Sequence, residues 1–272
     1  MSINGVFHVH SNFSHDGRNS IDEIIKVLEK KDFKFIVLTD HFEDFNKDKF
    51  FEYISTIEKI NKKNKIIIIP GIEVEFKEFH IVLAPVNDYH QTKNFIETGS
   101  FKNFTLRIIA HPSKNSLNEF ENLIKNYPFN GIEMWNQRAD GSFYPPMKLI
   151  KKVTISNFLP YLKFFGVDIH NIHHPINNII KIHKITNDDL NVDSIMTHLT
   201  TGNFINLNLK TGFFIDGNSS NIAAFNNIKI VQHIYGKLQR IVMLIFKYLY
   251  NVIPRNKRIK FESLKNEIKK FF

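Results

Sequence analysis

The chain has no cysteine and a single tryptophan among its 272 residues. Without thiols there is neither a disulfide nor a thiolate metal site, so any metal must be held by nitrogen and oxygen donors. The opening residues Met1-Ser2-Ile3-Asn4-Gly5 lack a charged segment followed by an apolar one, so no secretory signal is expected and the expected location is cytoplasmic. There is no internal repeat and no long low-complexity linker. An excess of either charge is also missing from most of the chain. Residues 1–228 hold 25 Lys and Arg against 25 Asp and Glu, whereas residues 229–272 hold 11 against only Glu262 and Glu267. The body is therefore neutral, which argues against its being a basic cradle for nucleic acid.

What is present is enough apolar matter for a large core: 43% of the residues are hydrophobic and 27 are Phe. The length suits a single α/β domain of the barrel type, which commonly runs to about 200–250 residues. Up to about residue 170 apolar runs alternate with amphipathic stretches, as in parallel β/α units. The runs predict strands over 5–9, 33–39, 65–70, 79–84, 106–110, 131–135 and 164–169. Ser20-Ile21-Asp22-Glu23 reads as a capping box opening a helix that runs to about Lys31. Further helices are expected over 43–61, 116–125 and 188–199. Seven strands with interleaved helices suggest a distorted (β/α)7 TIM-like barrel, although alternation alone does not separate a barrel from an open sheet.

Acidic and imidazole side chains gather at the ends of these runs. His8-Val9-His10 would aim two imidazoles to one side of a strand, because residues i and i+2 share a face. Asp40-His41, Glu73, His80, His111 and Asp168-Ile169-His170 follow, most of them at or just past a C-terminal strand end. Enzymes on β/α barrels keep their chemistry at that rim. Imidazole and carboxylate together suit Zn, Mn or Fe, and the pattern points to a multi-metal hydrolytic site.

The segment from His8 to Gly17 resembles the opening motif of the PHP (polymerase and histidinol phosphatase) metallohydrolases. The similarity continues in order through Leu38-Thr39-Asp40-His41, Pro70-Gly71-Ile72-Glu73, His80, Ala110-His111-Pro112 and Gly166-Val167-Asp168-Ile169-His170. Gly131-Ile132-Glu133-Met134-Trp135-Asn136 also resembles a segment of smaller PHP proteins. The resemblance covers about residues 5–200, within an expected domain of residues 1–228. It implies two or three divalent metal ions (Zn, Mn or Fe). His8, His10, Glu73 and Asp168 would hold one, with Glu73 bridging to a second bound by His80 and His111. Asp16, His41 and His170 would hold a third, with the adjacent His15 as an alternate to Asp16. Asp40 is expected to orient an imidazole from behind. The implied chemistry is hydrolysis of a phosphate ester by a metal-bound hydroxide, with His170 or His41 protonating the leaving group. Arg18, Lys114 and Arg138 are candidate anchors for a small phosphorylated substrate.

Several alternatives stand beside this reading. The enzyme could be a nuclease acting on short oligonucleotides, or a hydrolase of a non-phosphate bond such as a carbamate. It could also be an inactive metal-binding module that works through its tail. Glu133 could orient a ligand, act as a base or simply be solvated, and Asn136 is equally ambiguous. Trp135 is expected to pack at a barrel mouth. His90, His173, His174, His183, His198 and His233 read as ordinary surface or packing residues. The basic tail, 229–272, contains a helical stretch over 237–253, a break at Pro254 and a final short helix. It could pack on the barrel or on a dimer partner, rest on an anionic membrane surface through 237–272, or touch nucleic acid. Its apolar run, interrupted by Lys247, is too short to span a bilayer.

Overall fold

The computed structural model describes residues 1–63, 66–101, 104–114, 117–143, 145–155, 161–186, 190–218, 244, 245 and 248. The chain divides into two compact units, Met1–Ser220 and Asn221–Phe272. Of the second unit only Leu244, Ile245 and Tyr248 are described, all three exposed. Apart from these three residues, the expected tail helices lie outside the described residues, as do the stretch 249–272 and His233. Among the described residues no helix is long and apolar enough to cross a membrane.

The first unit begins with β1 (Ser2–Val9), α1 (Ile21–Lys30), β2 (Phe33–Leu38) and the short β3 (Asp40–His41). The capping box that starts α1 is formed as the sequence predicts: Ser20 accepts from the amide of Glu23, and Glu23 accepts from the amide of Ser20. Helix α2 (Lys47–Asn61) starts later than expected because Asn46 supplies its cap, after a 3-10 turn over Phe42–Asp44. Next come β4 (Ile67–Ile69), β5 (Ile72–Phe76), β6 (Phe79–Ala84), α3 (Tyr89–Thr98), β7 (Leu106–Ile109), α4 (Leu117–Asn126) and β8 (Gly131–Asn136). The unit continues with α5 (Gln137–Asp140), α6 (Met147–Ile155), β9 (Leu162–Gly166), β10 (Asn178–His183), α7 (Val192–Thr201), β11 (Ile205–Asn208) and β12 (Phe214–Asp216).

These strands form a mixed α/β fold with two six-stranded sheets, in the orders β12-β11-β10-β1-β2-β4 and β3-β5-β6-β7-β8-β9. The mixed α/β class is as expected, but the strands fall into two sheets and do not show one closed (β/α)7 barrel. The reason is local. Strands β5 and β6 are joined through Lys77 and Glu78, both with positive φ (52° and 65°), which turns the chain back at once and makes the pair antiparallel. Strands β10, β11 and β12 form an antiparallel meander whose inner face is lined by Asn178, Asn206 and Asn208, all fully buried. A repeating parallel β/α unit admits neither arrangement.

The sheets approach each other where β1 meets the segment after β9. Val9 and Ile169 form a parallel bridge, and His10 N–H donates to Ile169 O at 2.9 Å. Beneath this seam lies a core drawn from both sheets, including Phe7, Phe35, Val37, Val82, Ile108 and Phe164. The functional cluster sits at the polar end of that core.

Candidate metal centre

Strand parity explains part of the cluster and backbone strain explains the rest. His80 shares a face of β6 with the core residues Val82 and Ala84, so simple alternation aims it inward. On β1 the inward positions are Ile3, Gly5 and Phe7, a parity that leaves His8 and His10 on the other side. A bulge corrects this. His8 adopts φ +68°, and the register with β2 jumps between Phe7 and Val9. His111 likewise falls one residue out of step with Leu106, Ile108 and Ala110 and adopts φ +28°; Asp168 has φ +52°. Each such non-glycine residue costs on the order of 1–3 kcal/mol of backbone strain. Three of the expected metal donors thus occupy conformations that ordinary packing would not choose.

Glu73, on β5, lies at the centre and is 1% exposed. Its Oε1 is 2.9 Å from His80 Nδ1 and 2.9 Å from His111 Nε2. Its Oε2 is 3.3 Å from His8 Nε2, 3.4 Å from His10 Nε2 and 3.5 Å from His41 Nδ1. Asp168 Oδ1 stands 2.7 Å from His170 Nε2, 3.6 Å from His10 Nε2 and 3.8 Å from His8 Nε2. On the outer side Asp16 Oδ2 is 2.7 Å from His170 Nδ1 and 3.6 Å from His41 Nε2. His15 stands at the edge of the cluster: its ring, 64% exposed, stacks on that of His41 at 5.5 Å between centroids and lies 2.8 Å from Asp44 Oδ2.

The electrostatics follow from packing cations and anions together out of water. Burial opposes charge on Glu73, but His8 and the hydrogen-bonding imidazoles outweigh it and hold the carboxyl well below its usual range. Asp168 is lowered in the same way, burial again being overcome by His8 and by the bond to His170. His8 is raised well above an ordinary imidazole, because Glu133, Glu73 and Asp168 together overcome its burial. His80 is raised chiefly by its bond to Glu73, whereas burial pushes His10 well down.

Donor groups close enough to share an ion fall into four overlapping sets: His8, His10 and Asp168; His8, Glu73 and His111; His10, His41 and Glu73; and His10, Asp16 and His170. Among the described residues His10 Nε2, Asp16 Oδ1, His41 Nδ1 and His170 Nδ1 are buried and find no hydrogen-bond partner, although carboxylate oxygens lie within ion-pair distance of all three rings. Buried polar atoms seldom go unpaired. Lone pairs collected in one place on imidazole and carboxylate fit divalent metal ions, and the residues present suit such ions by both donor type and placement.

The supporting residues differ from expectation. Among the described residues Asp40 makes no hydrogen bond to an imidazole. It accepts from Ser11 N and Oγ (2.7 and 2.8 Å) and from Ser14 N and Oγ (3.1 and 2.8 Å). Two hydroxyls within four residues of His10 bind a short carboxylate more readily than a ring beyond them does. Asp40 therefore acts through Ser14, whose Oγ accepts the amide of His41 at 2.8 Å and lies 3.4 Å from His10 Nδ1. Glu133 is not solvated but fully buried, bonded to His8 and to the His111 amide. Asn136 is buried beside it. Trp135 is also fully buried, packed on Phe165 and Phe213 with its N–H on Gly141 O, so it is a core residue and not a rim one. The serines and Glu133 carried no signal beyond their place in the motif segments.

A cavity of about 530 Å³ opens beside the outer cluster, lined by Asp16, Asp168 and His170 together with Arg18, Arg138 and His174. His174, read from sequence as an ordinary surface residue, thus faces the site entrance. The guanidinium of Arg138 is half exposed, 3.6 Å from Asp168 and 4.0 Å from Asp16, and in close contact with His170 Nε2. Arg18 is exposed and donates its amide to His170 O. Lys114 ends the turn Pro112–Lys114 that follows His111; its side chain lies outside the description. His90, His173 and His183 are exposed, and His198 is half-buried on α7.

Fold and donor set together support a metal-dependent hydrolase. The family model described as the PHP domain matches residues 7–143, half of the chain. The chain belongs to the PHP domain family. Among solved structures it is similar to a candidate metal-dependent phosphoesterase from Bifidobacterium adolescentis, at 14% identity, TM-score 0.44, and coverage of 71% of this chain and 94% of that one. It is also similar to PsfC from Pseudomonas syringae, at 14% identity and TM-score 0.46, covering 68% and 83%. No curated protein matches.

Proposed function

We propose that this PHP-domain protein is a phosphoesterase that cleaves a small phosphorylated molecule, using two or three divalent ions (Zn, Mn or Fe). The observation that carries the proposal is the division of Glu73 between its two oxygens, with His80 and His111 on Oε1 and His8, His10 and His41 on Oε2. Such a carboxylate suits a bridge. In this reading His8, His10, Glu73 and Asp168 hold one ion, Glu73, His80 and His111 a second, and Asp16, His41 and His170 a third. Ions held there supply Lewis acidity, making water a nucleophile near neutral pH and neutralising charge on the phosphoryl group.

The chain's own residues do the rest. Arg138 and Arg18, at the cavity wall, bind and orient the phosphate, Arg138 through the planar fork that matches its oxygens. Whichever of His170 and His41 is not committed to the third ion delivers a proton to the departing alkoxide. The neutral charge of residues 1–228 favours a small molecule over a long nucleic acid.

The test is a panel of chromogenic phosphate monoesters, phosphate diesters and a carbamate, assayed with Mn or Zn after metal occupancy has been measured. Turnover of a phosphate ester is expected. Replacing Arg138 by Ala should raise KM about 10-fold, the order of one charge-assisted contact. Full metal occupancy without turnover of any phosphate ester would overturn the proposal.

A further inference from the structure

Glu133 stands outside every donor set of the cluster among the described residues, yet it is fully buried against it. Both oxygens of its carboxylate are engaged. Oε1 takes His8 Nδ1 at 3.0 Å; Oε2 takes the backbone N–H of His111 at 2.6 Å and Asn136 Nδ2 at 3.0 Å. The Asn136 amide cannot be reversed, because its Oδ1 already accepts the amide of Ala139 at 2.8 Å. A carboxylate so enclosed has no free oxygen with which to act as a base.

The space that admits it is made by Gly166 on β9. A Cβ at that position would overlap Glu133 Oε1 and come within 3.2 Å of His8 Cβ. Glycine here serves the close approach of a side chain, since Gly166 has no left-handed backbone to explain it.

We propose that Glu133 is a positioning residue that fixes the tautomer of His8, keeping the proton on Nδ1 so that the Nε2 lone pair faces Glu73 and Asp168. By accepting the His111 amide it also holds that residue in its left-handed conformation, so one carboxylate braces two of the strained donors. The inference rests on the reading of His8 as a metal ligand. It makes an unusual prediction for the isosteric Glu133→Gln. Both donors on Oε2 are fixed, so the glutamine oxygen must stay there and its NH2 must face His8. Nδ1 then has to accept, the ring proton moves to Nε2, and the atom aimed at the metal site loses its lone pair.

The experiment is 15N NMR of the histidine-labelled full chain, metal-free and at alkaline pH where the ring is neutral, together with Zn affinity by chelator competition. Wild type should show His8 protonated on Nδ1. Glu133→Gln should show it on Nε2 and bind Zn about 10- to 100-fold more weakly, the usual cost of losing such a support. Gly166→Ala should weaken Zn binding similarly with Glu133 still present. Wild-type His8 protonated on Nε2 overturns the proposal without recourse to any variant, as does an unchanged tautomer in Glu133→Gln. A switched tautomer with unchanged Zn affinity instead removes His8 from the ligand set, and the failure is then that of the metal-site reading.

Discussion

The two sides of the cluster are built differently. On the inner side His8, Glu73 and His111 are at most 7% exposed at their side chains, and a second buried carboxylate braces both imidazole-bearing residues from behind. On the outer side Asp16 comes from a loop, is 29% exposed, and shares a wide cavity with Arg138, itself 55% exposed. The inner side is braced by buried groups; the outer side opens to solvent through the cavity and, in the proposed function, admits substrate. Glu73 and His10 touch both. An ion held by the inner donors should therefore exchange slowly, and one held by the outer donors quickly.

The largest effect is expected where the two sides join. Glu73→Ala removes the carboxylate that faces five imidazoles and should cost about a thousand-fold or more in kcat/KM, several kcal/mol of lost charge stabilisation, with loss of more than one equivalent of bound metal. Metal analysis showing a full complement in this variant would break the comparison. A smaller effect, about 10- to 100-fold, is expected from Asp16→Ala, which should lower occupancy of the outer set and leave the inner ion in place. If both equivalents are lost together, the two sides are not separable.

The smallest expected effect is one of pH. His8 and His80 are raised by their carboxylate partners, so in metal-free protein they contribute stability that is fully present below the ordinary imidazole range and lost as pH rises through their raised values. Glu73 and Asp168 are lowered, and their contribution is present above the ordinary carboxyl range and lost only in strong acid. Metal binding requires deprotonated rings. Thermal unfolding should therefore show metal-free protein losing stability as pH rises above the ordinary imidazole range, while the gain on adding Zn grows in the same direction. A Zn-induced gain independent of pH would place the protonated imidazoles elsewhere.

Part of this cluster is legible in the sequence: His80 occupies, and His111 follows, a strand that the apolar runs reveal, whereas β5, which carries Glu73, is not among the expected strands. The capping box at Ser20 is equally legible, being a local device with local residues. The two-sheet topology is not. The reversal at Lys77-Glu78 is made by two charged residues with positive φ where the usual signal is Asn-Gly, and β10 and β11 carry buried asparagines where apolar runs were sought. Nor does the sequence reveal that His8 needs a bulge to reach the site, or that Gly166 leaves room for Glu133. Such features depend on contacts between residues far apart in the chain, 125 positions in the case of His8 and Glu133.

The most direct test of the central claim is titration of chelator-stripped protein with Mn or Zn while hydrolysis of a phosphate ester is followed. The account predicts no turnover in the stripped protein and activity that rises with bound metal and saturates when the cluster is filled. Full activity in protein shown to be metal-free would contradict it.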